Sequence, residues 1–242
     1  MRSVTLLLLV GVACSKPAAP LTPSQGGRPP GATGSAQISG HVRFHGVAPA
    51  DVDRPSKLAF PECSRFGPPE SSLRLSHEGG VAEAFVWIKA GLPEGSYPAP
   101  SEPLLLDQQG CEFRPRVFGI QVGQPLTIRN SDPVLHNTHA FSGGFNVPLP
   151  KEGQTATRTF ARPEVPAPIG CDVHGWMRAY AGVVPHPFFA VTDDTGAFSL
   201  RGLPAGHYEV EVWQERLGRQ SAEIDVKTGE RAALDIELKP AG

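Results

Sequence analysis

Cys171, His174 and Met177 stand three residues apart in the run Cys171-Asp172-Val173-His174-Gly175-Trp176-Met177. A thiolate, an imidazole and a thioether on one short loop belong to the donor set of a mononuclear copper site. Such a site takes a thiolate and two imidazoles around the metal, with a weak thioether above them. Thiolate and thioether favour Cu(I) and imidazoles hold Cu(II), so an ion in this set exchanges an electron with little rearrangement. The second imidazole has to come from a neighbouring loop. His136 is placed for it, after a strand-like stretch at residues 126–129 and the turn residues Asn130-Ser131-Asp132-Pro133. His139 competes for the role, but residues three apart on an extended segment face opposite sides, so the two do not easily share one ion.

Each of these residues also has a plainer use. Met177 alone could fill a core, and His174 alone could be a satisfied structural histidine. Their joint spacing argues otherwise, because Met177 is the only methionine besides Met1. Zinc would take cysteine, histidine or carboxylate and leave the thioether idle. A binuclear copper centre would need a second cysteine in the loop, and a multicopper oxidase would need His-x-His pairs. The eight histidines form no such pair. No nucleophile–base pair and no open metal position argue for an enzyme.

The cysteines divide by job. Of the four, Cys14 follows Gly11-Val12-Ala13 in the manner of a lipid-attachment box and Cys171 has the metal loop. Cys63 and Cys111 are then left to pair, closing a loop of ~50 residues worth roughly 3–4 kcal/mol. The alternatives are two buried free thiols, or a bridge from one of them to Cys171.

The elements that must position these side chains read as short strands and turns. Ile38, Val42 and Phe44 alternate with Ser39, His41 and Arg43. Residues 81–89 carry the apolar run Phe85-Val86-Trp87-Ile88, which suits a buried strand. Two strand candidates flank the turn Gly123-Gln124-Pro125, a further one lies at residues 155–160, and residues 178–184 follow the metal loop as a closing strand. Residues 188–191 and 197–200 read as a β-hairpin about the turn Asp193-Asp194-Thr195-Gly196. Tyr208, Val210 and Val212 alternate with Glu209, Glu211 and Trp213, and Leu234, Ile236 and Leu238 with Asp235, Glu237 and Lys239. No helical period follows the first residues, so the fold class is all-β.

Residues 1–14 read as an export signal, with Arg2 before an apolar run at residues 4–10 that is too short to span a bilayer. Residues 15–36 are rich in Pro, Gly, Ala and Ser and read as a disordered tether, reaching roughly 70 Å at ~3.1 Å per residue. Lipidation of Cys14 would place the protein in the periplasm or at the outer membrane, with the lipid as its only membrane contact. Ordinary secretion is the alternative. The formal net charge of −2 offers no basic field for nucleic acid.

The run Asn130-Ser131-Asp132…His136-Asn137, with Cys171-x2-His174-x2-Met177 downstream, resembles the cupredoxins, the plastocyanin and amicyanin family of blue copper proteins. The resemblance spans about residues 85–184. It implies a Greek-key β-sandwich holding one type 1 copper, and single-electron transfer between redox partner proteins. It sets the ligand directly before an Asn, which favours His136 over His139. It also implies that Asn137 hydrogen-bonds across to the Cys171 loop, and that His174 is the electron exit, with Trp176 and Pro148 as candidates for an apolar rim. Residues 189–198 with Leu203-Pro204-Ala205-Gly206-His207-Tyr208 resemble the carboxypeptidase regulatory-like, transthyretin-like sandwiches, as does the opening strand near Gly40-His41-Val42. The expected organisation is a β segment at 37–80 belonging to this second sandwich, a cupredoxin-like domain at 81–185, and the remainder of the second sandwich at 186–242. A copper-delivery protein and a metal-free structural lipoprotein are the competing functional classes.

Overall fold

Alternation of apolar and polar residues makes each strand two-faced, and a two-faced strand has to bury one side against another sheet. The computed structural model describes residues 34–50, 56–142 and 144–239. The export signal, Cys14 and nearly all of the tether lie outside the described residues. In chain order the strands begin with β1 (Ala36–Phe44) and β2 (Phe85–Ala90). Nine follow without interruption: β3 (Leu104–Gln108), β4 (Phe113–Arg114), β5 (Val117–Gln121), β6 (Leu126–Asn130), β7 (His136–Ala140), β8 (Asn146–Leu149), β9 (Thr155–Arg158), β10 (Glu164–Gly170) and β11 (Arg178–Val184). The series closes with β12 (Phe189–Val191), β13 (Ala197–Leu203), β14 (Gly206–Gln214), β15 (Gly218–Val226), β16 (Arg231–Ala233) and β17 (Ile236–Leu238). The only α-helical segment among the described residues is the four-residue α1 (Pro61–Ser64), preceded by a 3-10 turn at Lys57–Ala59. The chain is all-β.

These strands form four sheets, ordered β13-β1-β16 with β17 also on β1, β12-β2-β14-β15, β5-β11-β10-β7-β8 and β4-β3-β6-β9. The first two sheets bury a common core around Ile38, Val86, Ile88, Phe188, Phe198, Tyr208 and Val210. The other two bury Leu106, Phe113, Ile120, Ile128, Ile169 and Trp176. The described residues therefore form two β-sandwiches, with the continuous run β3–β11 of one lying between β2 and β12 of the other. Within that run the parallel pairs β3/β6 and β5/β11 sit among antiparallel ones, because the chain crosses from sheet to sheet in a Greek-key weave.

Two local expectations change. The sequence places Phe85–Ala90 at the opening of the cupredoxin-like part, but this strand pairs with β14 and β12. Val86 and Ile88 point into the first core, while Phe85 and Trp87 pack on Val117, Val184 and Trp213 between the sandwiches. Burial on both faces explains the continuous apolar run, and a run without alternation carries no mark of which sheet it joins. The expected hairpin at residues 188–200 also opens out. Its turn forms, with the Gly196 N–H donating to Asp193 O at 2.9 Å, but Phe189–Val191 pairs with β2 and Ala197–Leu203 with β1. The turn arches from one sheet to the facing one.

Glycine permits the contact between sandwiches. Gly119 and Gly182 are direct partners on β5 and β11. A Cβ on Gly119 would fall on the Phe189 ring, and one on Gly182 on the Phe85 ring.

Candidate metal centre

Strand pairing brings the sequence-predicted residues together. β10 and β11 are an antiparallel pair that closes at Gly170 opposite Arg178, so residues 171–177 form the loop at its tip. β7 runs antiparallel to β10 with Gly170 opposite His139. The start of β7, His136, therefore lies at the same end as the loop. Inside the loop the Met177 N–H donates to His174 O at 2.9 Å and the Cys171 N–H to Met177 O at 3.3 Å. These bonds fold the three residues into one tight turn.

His136, Cys171 and His174 are 0 %, 1 % and 1 % exposed. His136 Nδ1 lies 2.9 Å from His174 Nδ1, and Cys171 Sγ lies 3.8 Å from the same atom. One donor atom from each of the three falls within 4.8 Å of the others. An ion holding nitrogen at about 2.0 Å and thiolate at about 2.3 Å asks for donors roughly 3–4 Å apart, so this donor set fits a single metal. Met177 is fully buried in the same apolar cluster as Cys171 and Trp176.

His139 stays outside. The pleat turns it away from the side taken by His136, and its Nδ1 meets Asp172 Oδ1 at 3.0 Å on a partly exposed surface. Asn137 links the two ligand loops. Its Oδ1 accepts the Asp172 N–H at 2.7 Å and lies 3.2 Å from Cys171 Sγ, while its Nδ2 donates to Asp172 Oδ2 and Asn146 Oδ1, each at 2.8 Å.

The electrostatics suit a thiolate. Burial pushes the Cys171 thiol up, but hydrogen bonds with His136 and His174 outweigh it and bring the pKa down to about 6. Burial lowers the His136 pKa, yet its hydrogen bonds with Asp132 and Cys171 leave it above the ordinary histidine value.

Cys63 and Cys111 form the disulfide, as cysteine parity suggests, and Cys171 is free and buried. The bridge has a consequence that parity does not reveal. It holds the segment around α1 over the metal loop, where the Phe60 ring packs at 5.4 Å from His174 and 4.8 Å from Trp176. Lys57, buried, pairs with Glu112 at 2.8 Å and donates to Gly110 O at 3.1 Å, pinning the same segment. His174 Nε2 is buried without a hydrogen-bond partner, with Glu62 Oε1 4.0 Å away. The expected surface exit at His174 with a rim of Trp176 and Pro148 is thus corrected. Trp176 is fully buried and Pro148 is exposed, because the disulfide carries residues 57–64 across that edge.

The sequence marks Asp132 only as a turn position, yet it belongs to the site. Its Oδ2 lies 3.1 Å from His136 Nε2. The i, i+4 separation is visible in the sequence, but a turn of this kind gives no rule for which side chains meet. The group Cys111, Asp132 and His136 is also close enough to suggest a metal, yet the disulfide removes Cys111 as a donor.

No family model matches the chain, and no curated protein matches it. Among solved structures, an oxidized single-residue mutant of amicyanin is similar at 21 % identity, over 40 % of this chain and 97 % of that one, with a TM-score of 0.32. A reduced single-residue mutant of amicyanin is similar at 19 %, over 42 % and 98 %, with a TM-score of 0.32. The Cu-containing nitrite reductase NirK from Thermus scotoductus SA-01 is similar at 21 %, over 39 % of this chain and 25 % of that one, with a TM-score of 0.31. These likenesses are distant, and the functional reading rests on the donor atoms.

Proposed function

We propose that the protein binds one copper ion through His136, Cys171 and His174, with Met177 as a weak fourth ligand, and carries single electrons between redox proteins. The observation that carries this reading is the convergence of two imidazole nitrogens and a thiol of lowered pKa in one buried spot. Copper held there supplies a centre that accepts and releases one electron. The chain's own residues supply the rest. Cys171 offers a thiolate near neutral pH, and Asn137 holds the two loops in register. Phe60 and Trp176 exclude water from the His174 side. Rigid ligands and a dry shell limit reorganisation, which suits a carrier. A metal closed in on this side suits a carrier better than a delivery protein or an enzyme, which need an accessible coordination position. A redox partner would meet the Phe60–Glu62 segment before it met the imidazole.

Titration of the purified protein with Cu(II) tests the reading. One equivalent should produce an intense blue thiolate charge-transfer band that a reductant bleaches reversibly, and Cys171→Ser should abolish it. Failure to bind copper stoichiometrically would sink the proposal. Export and anchoring through Cys14 belong to the same proposal. Among the described residues no helix is long and apolar enough to cross a membrane. Fatty-acid labelling lost in Cys14→Ser tests the anchor, and an unlabelled wild type would refute it.

A further inference from the structure

We infer that Asp132 is a positioning residue of the metal centre, fixing the tautomer and plane of His136 and strengthening that imidazole as a donor. The inference rests on the copper reading above. Asp132 is 3 % exposed, and donors reach it from two directions. The Gly110 N–H donates to Oδ1 and the Cys111 N–H to Oδ2, both at 2.8 Å. Gly110 and Cys111 have φ values of 68° and 56°, which turns their successive N–H groups into one concave grip on the carboxylate. The Asp132 N–H in turn donates to Asn130 Oδ1 at 2.9 Å. The Asn130 side chain is itself tied to Val134 O and Leu149 O.

A carboxylate gripped in this way can only accept, so the ring nitrogen facing it, His136 Nε2, must carry a hydrogen. The free lone pair is then on Nδ1, the atom 2.9 Å from His174 Nδ1, which in turn lies 3.8 Å from Cys171 Sγ. A negative charge on the far nitrogen makes the imidazole more basic and a better partner for the more highly charged metal. Asp132 therefore favours Cu(II) over Cu(I). The same support reaches the other arm of the site, because Cys111 O accepts the Trp176 Nε1–H at 2.9 Å and its sulfur holds Cys63. One residue, Cys111, thus braces both the His136 side and the metal loop.

Copper affinities of the full-length wild type and of Asp132→Asn, measured for both oxidation states by competition with chelators, test this. Second-sphere partners are worth about 10–100-fold in metal affinity. Asp132→Asn should lose Cu(II) affinity in that range and lose at least tenfold less for Cu(I), which appears as a reduction potential raised by about 59 mV or more. Equal losses for both ions, or none, with the blue band retained, would overturn this inference and leave the copper reading standing. Absence of copper binding by the wild type would overturn both. A measurement on metal-free wild type needs no variant. The His136 Nε2 proton should give a downfield, slowly exchanging NMR signal, and a fast-exchanging one would refute the role.

Discussion

Replacing both Cys63 and Cys111 with Ala frees a chain segment whose ends are 48 residues apart. Loop-closure entropy for a ring of this size amounts to about 4 kcal/mol at room temperature, gained by the unfolded chain. Both cysteines are fully buried, so alanine brings no new polar group into the core, and the loss in van der Waals contact is small beside the entropy. The expected loss is about 3–4 kcal/mol in denaturant titration, or roughly 6–16 °C in Tm at 2–4 °C per kcal/mol for a chain of this size. The damage should also be local. Lys57–Glu112 and Phe60–Trp176 remain to hold the segment, but a buried ion pair tolerates little misalignment. Residues 57–67 should therefore become the first site of limited proteolysis, and a chelator should extract copper faster through the opened His174 side. A stability loss below about 1 kcal/mol with unchanged protease resistance would refute the view that the bridge holds this cover in place.

Two further outcomes follow from the other sandwich and its contact. Burial holds the His186 pKa down to about 4, against a weaker opposing effect of its hydrogen bond to Ile88 O. Its pKa is depressed on folding, so the unfolded chain binds the extra proton between about pH 6.5 and 4. The neutral imidazole's stability is then complete above about 6.5 and is lost as pH falls towards 4. Melting curves over this range should show a loss of about 2–4 kcal/mol that His186→Gln lacks, and identical pH slopes would contradict the assignment. Gly182→Ala puts a Cβ on the Phe85 ring, an overpacking that should cost about 1–3 kcal/mol and leave the copper spectrum unaltered. An unchanged denaturation midpoint would refute a tight contact between Gly182 and the Phe85 ring.

What is legible in the sequence is what local pattern encodes. Three donors on one loop between two strands must lie close together, and the period-2 pleat separates His136 from His139 without any tertiary information. Cysteine parity points to Cys63–Cys111 because a free thiol needs a use and Cys171 has one. Ile38, Val42 and Phe44 declare a buried face by alternation, and the structure buries all three. Other features cannot be read this way. Phe85–Ala90 opens with an apolar run on both faces, so it lacks the asymmetry that names a partner sheet. The turn at residues 193–196 looks the same whether it closes a hairpin or arches between sheets.

The metal loop shows the same division. Its composition alone put a thiolate, an imidazole and a thioether on one seven-residue loop, and the antiparallel pairing of β10 with β11 folds that loop back so that Cys171 and His174 meet. Only the tertiary structure decided that Asp132 backs His136, that Asn137 bridges the loops, and that residues 57–64 cover His174. Each of these joins segments whose meeting depends on which surfaces fit after the sheets pack, and burial strengthens such polar contacts by removing competing water. Sequence thus specified the chemistry of the centre, and packing specified its orientation, its dryness and its access.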